Sequence, residues 1–223
     1  MSALFVTGTD TGVGKTYCAC ALLRGFVAQG RRAVGMKPVA SGATEIDGEL
    51  RNDDALALMA AGNVPASYTS VNPYVFAPAI APHIAAARVQ SDIALPRLQA
   101  AYRDLAERAD VVVVEGAGGW LTPLSESTSL ADFAQMLNAP VILIVGLRLG
   151  CLNHALLSAE AIARRGLRLA GWIANDVTPD FAEAEANIAY LTAQLGAPVA
   201  RFHHADDAPA TLDPVVCARV LPA

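Results

Sequence analysis

The sequence predicts an α/β fold, with a doubly wound, mainly parallel sheet flanked by helices on both faces. Short apolar runs alternate with longer amphipathic segments along nearly the whole chain, which is the pattern of repeated strand–helix–strand units. Two of the runs, 112–114 and 141–145, are apolar on both faces, as expected of parallel strands covered above and below. Of the 223 residues, 54% are hydrophobic, enough for one sizeable core. We therefore expect residues 1–223 to form a single domain.

Each element is predicted from its own pattern of apolar residues. The short apolar runs predict strands at residues 3–7, 33–39, 111–114, 141–145 and 169–174. The longer amphipathic segments predict helices at residues 15–29, 53–61, 93–108, 130–137, 153–165 and 182–195. The proline-rich stretch 72–82 is expected to be an ordered excursion rather than a domain boundary. The chain after residue 202 has no clear pattern.

Composition argues against several classes of protein. The chain has 16 Lys and Arg against 21 Asp and Glu, a formal net charge of −5, whereas non-specific nucleic-acid binding requires clustered basic residues. Residues 1–5 lack the positive region of a signal peptide. The longest apolar run, near residues 139–147, is far shorter than the ~20 residues of a membrane-spanning helix. The four cysteines are too few and too scattered for a disulfide framework. We expect a cytoplasmic protein with neither nucleic acid nor membrane as a partner.

A glycine-rich loop over residues 8–16 follows the first predicted strand and opens the first predicted helix. The glycine that usually stands five residues before Gly14 lies one place further out, at Gly8. Successive backbone N–H groups in such a loop cradle phosphates, and the helix N-terminus adds its positive end. We expect Lys15 to reach the β- and γ-phosphates and the Thr16 hydroxyl to ligate Mg²⁺. The loop therefore predicts a nucleotide-binding fold of the P-loop NTPase type rather than an ordinary strand–helix turn.

Carboxylates at two places are candidates for the metal ion. Glu115 ends the apolar run 111–114, and in P-loop folds a carboxylate at that strand end lies beside the phosphate loop. Without the loop, Glu115 would be interpreted as a solvated strand end. Asp53 and Asp54 begin a predicted helix, where we expect one to cap the helix and the other to face the metal. The histidines do not stand at metal-ligand spacing, and we expect packing or capping roles for His83, His154, His203 and His204.

Lys37 closes the second predicted strand and is followed by Pro38, which fixes an extended exit. Taken alone, a lysine at a strand end is equally well explained as a solvated charge. Beside the phosphate loop, Lys37 and Lys15 would place two positive charges near the γ-phosphate, where charge develops during phosphoryl transfer.

These motifs and several others resemble those of the dethiobiotin synthetase family. The matching stretches run collinearly from about residue 5 to residue 199 and read GTDT, VGKT, KPVASG, RNDDA, APH, EGAGG, LGCLNH and GWIAND. The displaced glycine of the phosphate loop is also a feature of that family. The resemblance implies an enzyme that uses ATP and Mg²⁺ to make dethiobiotin for biotin biosynthesis. In that reaction 7,8-diaminononanoate takes up CO₂ as a carbamate, ATP converts the carbamate to a mixed anhydride, and the second amine displaces phosphate.

The resemblance also implies roles for particular residues. Phosphate contacts are implied for the loop residues Gly12, Val13, Gly14, Lys15, Thr16 and Tyr17. The implied metal ligands are Thr16, Asp54 and Glu115, and the implied catalytic residues are Lys37 and Lys15. Further nucleotide contacts are implied at Gly116, Ala117 and Gly118, with the adenine at Asn175 and Asp176. Substrate contacts are implied at Thr11 and Ser41 and, across the subunit boundary of a homodimer, at the helix opening Gly150, Cys151, Leu152 and Asn153.

One segment departs from the family pattern. After the last strand the family usually has a Gly-Glu-(Ile/Leu)-Pro turn that packs on the base, whereas residues 200–206 of this chain read ARFHHAD. The contacts to the base, and the preference for ATP over other nucleotides, therefore stay open from the sequence.

Three other classes of protein share part of this pattern. A nucleotide-dependent switch or partitioning ATPase has the same sheet, but usually carries a further lysine early in the loop, where this chain has TDT at 9–11. A small-molecule kinase normally needs a mobile lid rich in arginine, and residues 41–52 contain only Arg51. A binding protein without chemistry would not need both Lys37 and Glu115.

Overall fold

The computed structural model describes residues 2–203 and 210–221. The strands in this part of the chain are β1 (Ser2–Gly8), β2 (Ala33–Met36), β3 (Val39–Ser41), β4 (Thr44–Ile46), β5 (Glu49–Arg51), β6 (Tyr74–Phe76), β7 (Val111–Gly119), β8 (Val141–Gly146), β9 (Leu169–Asn175) and β10 (Ala200–Phe202). The helices are α1 (Lys15–Ala28), α2 (Asp53–Ala61), α3 (Tyr68–Val71), α4 (Pro82–Arg88), α5 (Leu95–Ala106), α6 (Leu130–Met136), α7 (Cys151–Arg164), α8 (Ala184–Leu195) and α9 (Pro214–Val220).

The main sheet has the strand order β10-β9-β8-β1-β7-β2, and each pair of neighbours in it is parallel. Strand β1 therefore lies in the interior of the sheet, between β8 and β7, and its carboxyl end leads into the glycine-rich loop. The four valines of 111–114 are fully buried, as the apolar run predicts. The predicted parallel sheet is confirmed.

Helices cover both faces of this sheet. Phe5 of β1 packs into one core with Leu105 of α5 and Phe133 of α6. Its neighbour Leu4 points to the opposite face. There it packs into a second core with residues of α1, α2 and α9, among them Leu22 of α1. Alternation along the strand thus supplies both cores, and each fully buried aliphatic side chain contributes about 1.5–3 kcal/mol. The predicted doubly wound arrangement is confirmed.

The prediction of one strand over residues 33–39 is wrong in its second half. Strand β2 ends at Met36, the Lys37 N–H donates to Val71 O at 2.8 Å, and Pro38 has no N–H to continue the ladder. The chain then leaves the main sheet, and β3 pairs in parallel with β6 in a separate two-stranded sheet. The proline-rich stretch 72–82 contains β6 and is ordered as expected.

Two smaller differences have local causes. Helix α5 begins at Leu95 rather than at residue 93, because Pro96 occupies its first turn, where a missing N–H costs nothing. Helix α7 begins at Cys151 rather than at residue 153, after Gly150 has turned the chain with a φ of 93°. No helix within the described residues is long and apolar enough to cross a membrane.

Candidate active site

The glycine-rich loop lies between the end of β1 and the start of α1, with the helix N-terminus pointing into it. Gly14 precedes the helix with φ 81°, a left-handed conformation that glycine adopts without strain. A Cβ at Gly14 would also lie 2.1 Å from the Asn175 side-chain nitrogen, so no larger residue fits there. The Asn175 amide in turn donates to Val13 O at 2.9 Å and fixes the loop to the end of β9.

Lys15, the first residue of α1, turns back toward its own loop. Its ammonium donates to Asp10 O at 2.9 Å, and the residue is only 7% exposed. Burial, and after it the charge of Lys37, lowers the pKa of Lys15 to about 8. A buried ammonium held by one carbonyl is poorly compensated, so a phosphate group would be a strong partner for it.

Lys37 lies between the two carboxylates that were predicted to bind metal. Its Nζ is 2.7 Å from Glu115 Oε1 and 2.8 Å from Asp54 Oδ2. Lys37 reaches Glu115 because Met36 is in register with Val114, which places the next residue of each strand side by side. Burial alone would lower the pKa of Lys37, but Glu115 and Asp54 outweigh it and raise that pKa. Lys37 is therefore a buried, charged ammonium and not a solvated strand end.

Asp54 faces this cluster from the first turn of α2. Burial would raise the pKa of its carboxyl group, but Lys37 outweighs it and holds that pKa below its usual value. The sequence predicted that Asp53 or Asp54 would cap the helix. The cap is instead Asn52, whose side chain accepts a hydrogen bond from the Ala55 N–H. Asp53 is exposed. An asparagine performs the capping equally well, which frees Asp54 to face the site.

The oxygen atoms of this cluster suit a magnesium ion. The Thr16 hydroxyl donates to Glu115 Oε1 at 2.8 Å. The second oxygen of that carboxylate, Glu115 Oε2, is buried and has no hydrogen-bond partner among the described residues. Buried carboxylate oxygens are normally satisfied, and hydroxyl and carboxylate oxygens are the ligands that Mg²⁺ prefers. The residues present therefore fit such an ion.

A cavity of about 800 Å³ opens beside the cluster. It brings together, from distant parts of the chain, many of the predicted site residues: Thr11, Gly12, Gly14, Lys15, Thr16, Lys37, Ser41, Asp54, Glu115, Ala117 and Gly118. The Ser41 hydroxyl oxygen is buried without a partner in the described structure, so it is available to a ligand. Val13 and Gly116 are buried behind the loop and do not line the cavity.

A smaller cavity of about 240 Å³ continues on the other side of the loop. Its lining is Gly12, Gly14, Tyr17, Asn175, Asp176, Val177 and His203. Gly12 and Gly14 line both cavities and so join them. A nucleotide with its phosphates in the larger cavity and its base in the smaller one would require such a connection. Of the segment 200–206, whose effect on the base was left open, residues 204–206 lie outside the described residues, and His204 is one of them.

The four predicted substrate residues at the start of α7 lie apart from both cavities. Gly150 and Asn153 are exposed, Cys151 is buried and Leu152 is half-buried. Leu149 beside them is 94% exposed. His154, for which packing or capping was predicted, is exposed as well.

A family model described as an AAA domain matches residues 2–201. The chain is 50% identical over 218 residues to the ATP-dependent dethiobiotin synthetase BioD of Xylella fastidiosa strain 9a5c, a match that covers 98% of this chain and 96% of that protein. The chain belongs to the ATP-dependent dethiobiotin synthetase family. The relative of the same name from Aromatoleum aromaticum is 50% identical over 197 residues, which cover 88% of each chain. The predictions of the family and of an enzyme are confirmed.

Two solved structures show the same fold at low sequence identity. Cell division protein FtsY of Thermotoga maritima superposes with a TM-score of 0.51 at 19% identity, and the match covers all of this chain and 69% of that one. A chain of the MinC:MinD cell division complex of Aquifex aeolicus gives a TM-score of 0.52 at 12% identity, covering all of this chain and 87% of that one. The P-loop fold predicted for this dethiobiotin synthetase family member is confirmed.

Sequence reasoning missed part of both cavities. In the larger one, the apolar wall contains Ile80 and Pro123, whose only signal was a proline-rich stretch and a family motif next to them. In the smaller one, His203 was assigned to packing or capping, but its Nδ1 lies 2.6 Å from Asp176 Oδ2. The ion pair between Arg148, in the loop before α7, and the Asp10 carboxylate was also missed. No local sequence pattern predicts such pairs, because their members are far apart in sequence.

Proposed function

We propose that this chain carries out the ATP-dependent carboxylation and ring closure of 7,8-diaminononanoate with CO₂, giving dethiobiotin in biotin biosynthesis. The observation that carries the proposal is the ion-paired group of Lys37, Glu115 and Asp54 beside the phosphate loop, with Lys37 and Glu115 buried, in a chain of this family. We propose further that residues 1–223 act as one domain, in the cytoplasm, within a homodimer.

The proposed reaction has three steps. One amine of the substrate adds to the carbon of CO₂ and loses a proton, which gives a carbamate. A carbamate oxygen attacks the γ-phosphorus of ATP, ADP leaves, and a carbamic–phosphoric mixed anhydride forms. The second amine then attacks the carbamoyl carbon and loses a proton, the C–O bond to phosphate breaks, and the five-membered ureido ring closes. Phosphate leaves with the oxygen that began in the carbamate.

The phosphate loop binds and orients the triphosphate. Backbone N–H groups from Gly12 to Thr16, at the positive end of α1, donate to the phosphate oxygens, with Val13 and Tyr17 supporting the loop and the first turn. Lys15 exchanges its bond to Asp10 O for the β- and γ-phosphates. A bound phosphate raises the pKa of Lys15 again, because it offsets the cost of burial.

Thr16, Asp54 and Glu115 would hold Mg²⁺, with Glu115 Oε2 as the oxygen that still lacks a partner. When bound, the ion neutralises charge on the β- and γ-phosphates. Glu115 lies on the rigid β7 and is fully buried, so its position is fixed before the nucleotide arrives. Ala117 and Gly118, which follow it on β7, line the cavity at the proposed γ-phosphate end, whereas Gly116 is buried beside them.

Lys37 stabilises the reacting groups. Its pKa is raised, so it is charged at neutral pH, and that charge favours both the carbamate anion and the transferring phosphoryl group. Thr11 and the Ser41 hydroxyl position the carbamate and the amine. Ile80 and Pro123 supply an apolar wall along the cavity, which suits the alkyl chain of the substrate.

The far end of the substrate carries a carboxylate. The N-terminus of α7 is exposed at Gly150 and Asn153, next to Leu149, and the first turn of a helix favours anions. The Cys151 N–H already donates to Arg148 O at 3.0 Å, so Leu152 and Asn153 are the backbone donors that we propose for the carboxylate. In a homodimer these residues would reach the neighbouring subunit's cavity and hold that carboxylate. We propose that Asn175 contacts the adenine at the opposite end of the site, in the smaller cavity, with Asp176 lining the wall beside the base.

Incubation of the protein with 7,8-diaminononanoate, bicarbonate and MgATP, followed by mass detection of dethiobiotin, tests the proposal. We expect dethiobiotin and phosphate in equal amounts, and little phosphate when either diamine or bicarbonate is left out. Fast ATP turnover with neither present would favour a switch ATPase and overturn the proposal.

A further inference from the structure

The carboxylate of Asp176, at the wall of the smaller cavity, is held by two side chains from the segment that departs from the family pattern. We infer that Arg201 and His203 determine base specificity: by occupying both oxygens of Asp176 they deny a guanine base the acceptor it needs. The inference rests on the proposed nucleotide site and adds to it residues that the resemblance does not assign.

The contacts form a small network. Asp176 Oδ2 is 2.6 Å from His203 Nδ1 and 3.2 Å from Arg201 Nε, and its Oδ1 is 3.4 Å from Arg201 Nη2. Arg201 also pairs with Glu185 of α8, which holds the guanidinium from its other side. The side chain of Asp176 is only 17% exposed, so few positions around it are left for a ligand.

The backbone builds this network. Strand β10 lies parallel to β9 with Arg201 beside Ala174 and Phe202 beside Asn175. The Asp176 N–H then donates to Phe202 O at 2.9 Å, which places the carboxylate against the residues on either side of Phe202. The arrangement is thus fixed by strand pairing rather than by a flexible surface contact.

The chemistry of the two purines makes the network selective. Guanine presents two adjacent donors, N1–H and the N2 amino group, which a free carboxylate accepts together. Adenine presents one amino group next to an acceptor, N1, which a carboxylate repels. A free Asp176 at this wall would therefore favour guanine, and an Asp176 already bound by a guanidinium and an imidazole does not.

The test compares the affinities of ATP and GTP by displacement of a fluorescent methylanthraniloyl-ATP in the presence of Mg²⁺. Arg201→Met/His203→Phe keeps the side-chain size and the ring but removes the donors to Asp176. We expect the affinity of GTP relative to ATP to rise about tenfold, the lower end of what a paired base contact discriminates. Adding Asp176→Asn should abolish the gain, because an amide cannot accept both donors.

Arg165→Met is the matched control. Arg165 pairs with Asp132 and its side chain is 28% exposed, against 27% for Arg201, but it lies outside the lining of both cavities. In the Arg165→Met protein, the ratio of GTP affinity to ATP affinity should equal that of the wild type. His203→Phe alone, at an exposed position, should give part of the gain even if the double variant folds poorly.

An unchanged ratio in both the single and the double variant would overturn the inference, as would a gain that survives Asp176→Asn. These outcomes are separate from the proposed function. Nucleotide displacement does not require diamine or CO₂, so a protein that binds ATP selectively but makes no dethiobiotin would count against the proposed reaction alone.

Discussion

The phosphate end and the base end of the site are built on the same plan but in different surroundings. In each, a carboxylate within or just after a strand of the main sheet is held by a basic side chain from another part of the chain. At the phosphate end, the side chain of Glu115 is fully buried and that of Lys37 is 5% exposed. At the base end, Asp176, Arg201 and His203 have side chains that are 17%, 27% and 61% exposed.

This difference in burial separates the roles of the two ends. A buried ion pair is costly to form and still more costly to break. Because water screens its charges little, they act strongly on a reacting group. A half-exposed pair is screened by water and contributes little to stability. The first arrangement suits the chemistry, where large effects are needed, and the second suits a choice between similar bases, where about 1.4 kcal/mol is a tenfold preference.

The largest expected effect is the removal of magnesium. Excess chelator should abolish phosphate release, because without the ion Lys15 and Lys37 alone must balance the triphosphate beside the carboxylates of Asp54 and Glu115. Phosphate release assayed with and without chelator, with restoration by added Mg²⁺, measures this. Undiminished release in chelator would remove the metal from the phosphate end.

Breaking the buried pair should reduce stability more than any change at the base end. Lys37→Met leaves the buried Glu115 carboxylate without its ammonium, which costs about 3–5 kcal/mol. Removing both charges in Lys37→Met/Glu115→Gln should recover more than half of that loss, because no buried charge is stranded. Urea unfolding of Lys37→Met, Glu115→Gln and the double variant gives the free energies. A double variant as unstable as the sum of the single ones would show that the two side chains are not coupled.

Lys37→Gln should lower kcat for dethiobiotin by about 10²–10³, the usual loss when one electrostatic contact to a transition state is removed. ATP affinity should change little, because this contact is made chiefly in the transition state. Lys15→Ala should lose both dethiobiotin formation and ATP affinity. Initial rates and nucleotide titrations, at a temperature where circular dichroism shows the variants folded, separate these effects. A Lys37→Gln rate close to that of the wild type would reduce this lysine to a charge partner of Glu115.

The smallest effect is expected for stability at the base end. Arg201→Met should lower the free energy of unfolding by no more than about 1 kcal/mol, because its ion pairs are half-exposed. The same urea experiment checks this. A loss as large as that of Lys37→Met would erase the distinction between the two ends.

The sequence predicted the phosphate end better than the base end, for physical reasons. Lys15 and Thr16 belong to a contiguous loop whose conformation is set by local glycines, so spacing alone assigns them. Glu115 ends an apolar run, and a strand end is visible in the pattern. Asn52 was overlooked as the helix cap because two aspartates follow it and compete for the same assignment.

Pairs that depend on strand order could not be predicted. Lys37 meets Glu115, 78 residues away, only because β2 lies beside β7, and nothing in either motif states that order. Arg201 meets Asp176 for the same reason, through the pairing of β10 with β9. The split of the second strand at Pro38 was missed because the apolar pattern runs on past the residue where the ladder ends.

The central claim is that the buried lysine–carboxylate group serves phosphoryl transfer to a carbamate, and the fate of the carbamate oxygen tests it most directly. Short reactions with ¹⁸O-labelled bicarbonate, diamine and MgATP in ordinary water should release phosphate that carries one ¹⁸O. The label arrives because the bridging oxygen of the mixed anhydride leaves with phosphorus when the ring closes. Phosphate without ¹⁸O, formed together with dethiobiotin, would contradict the account.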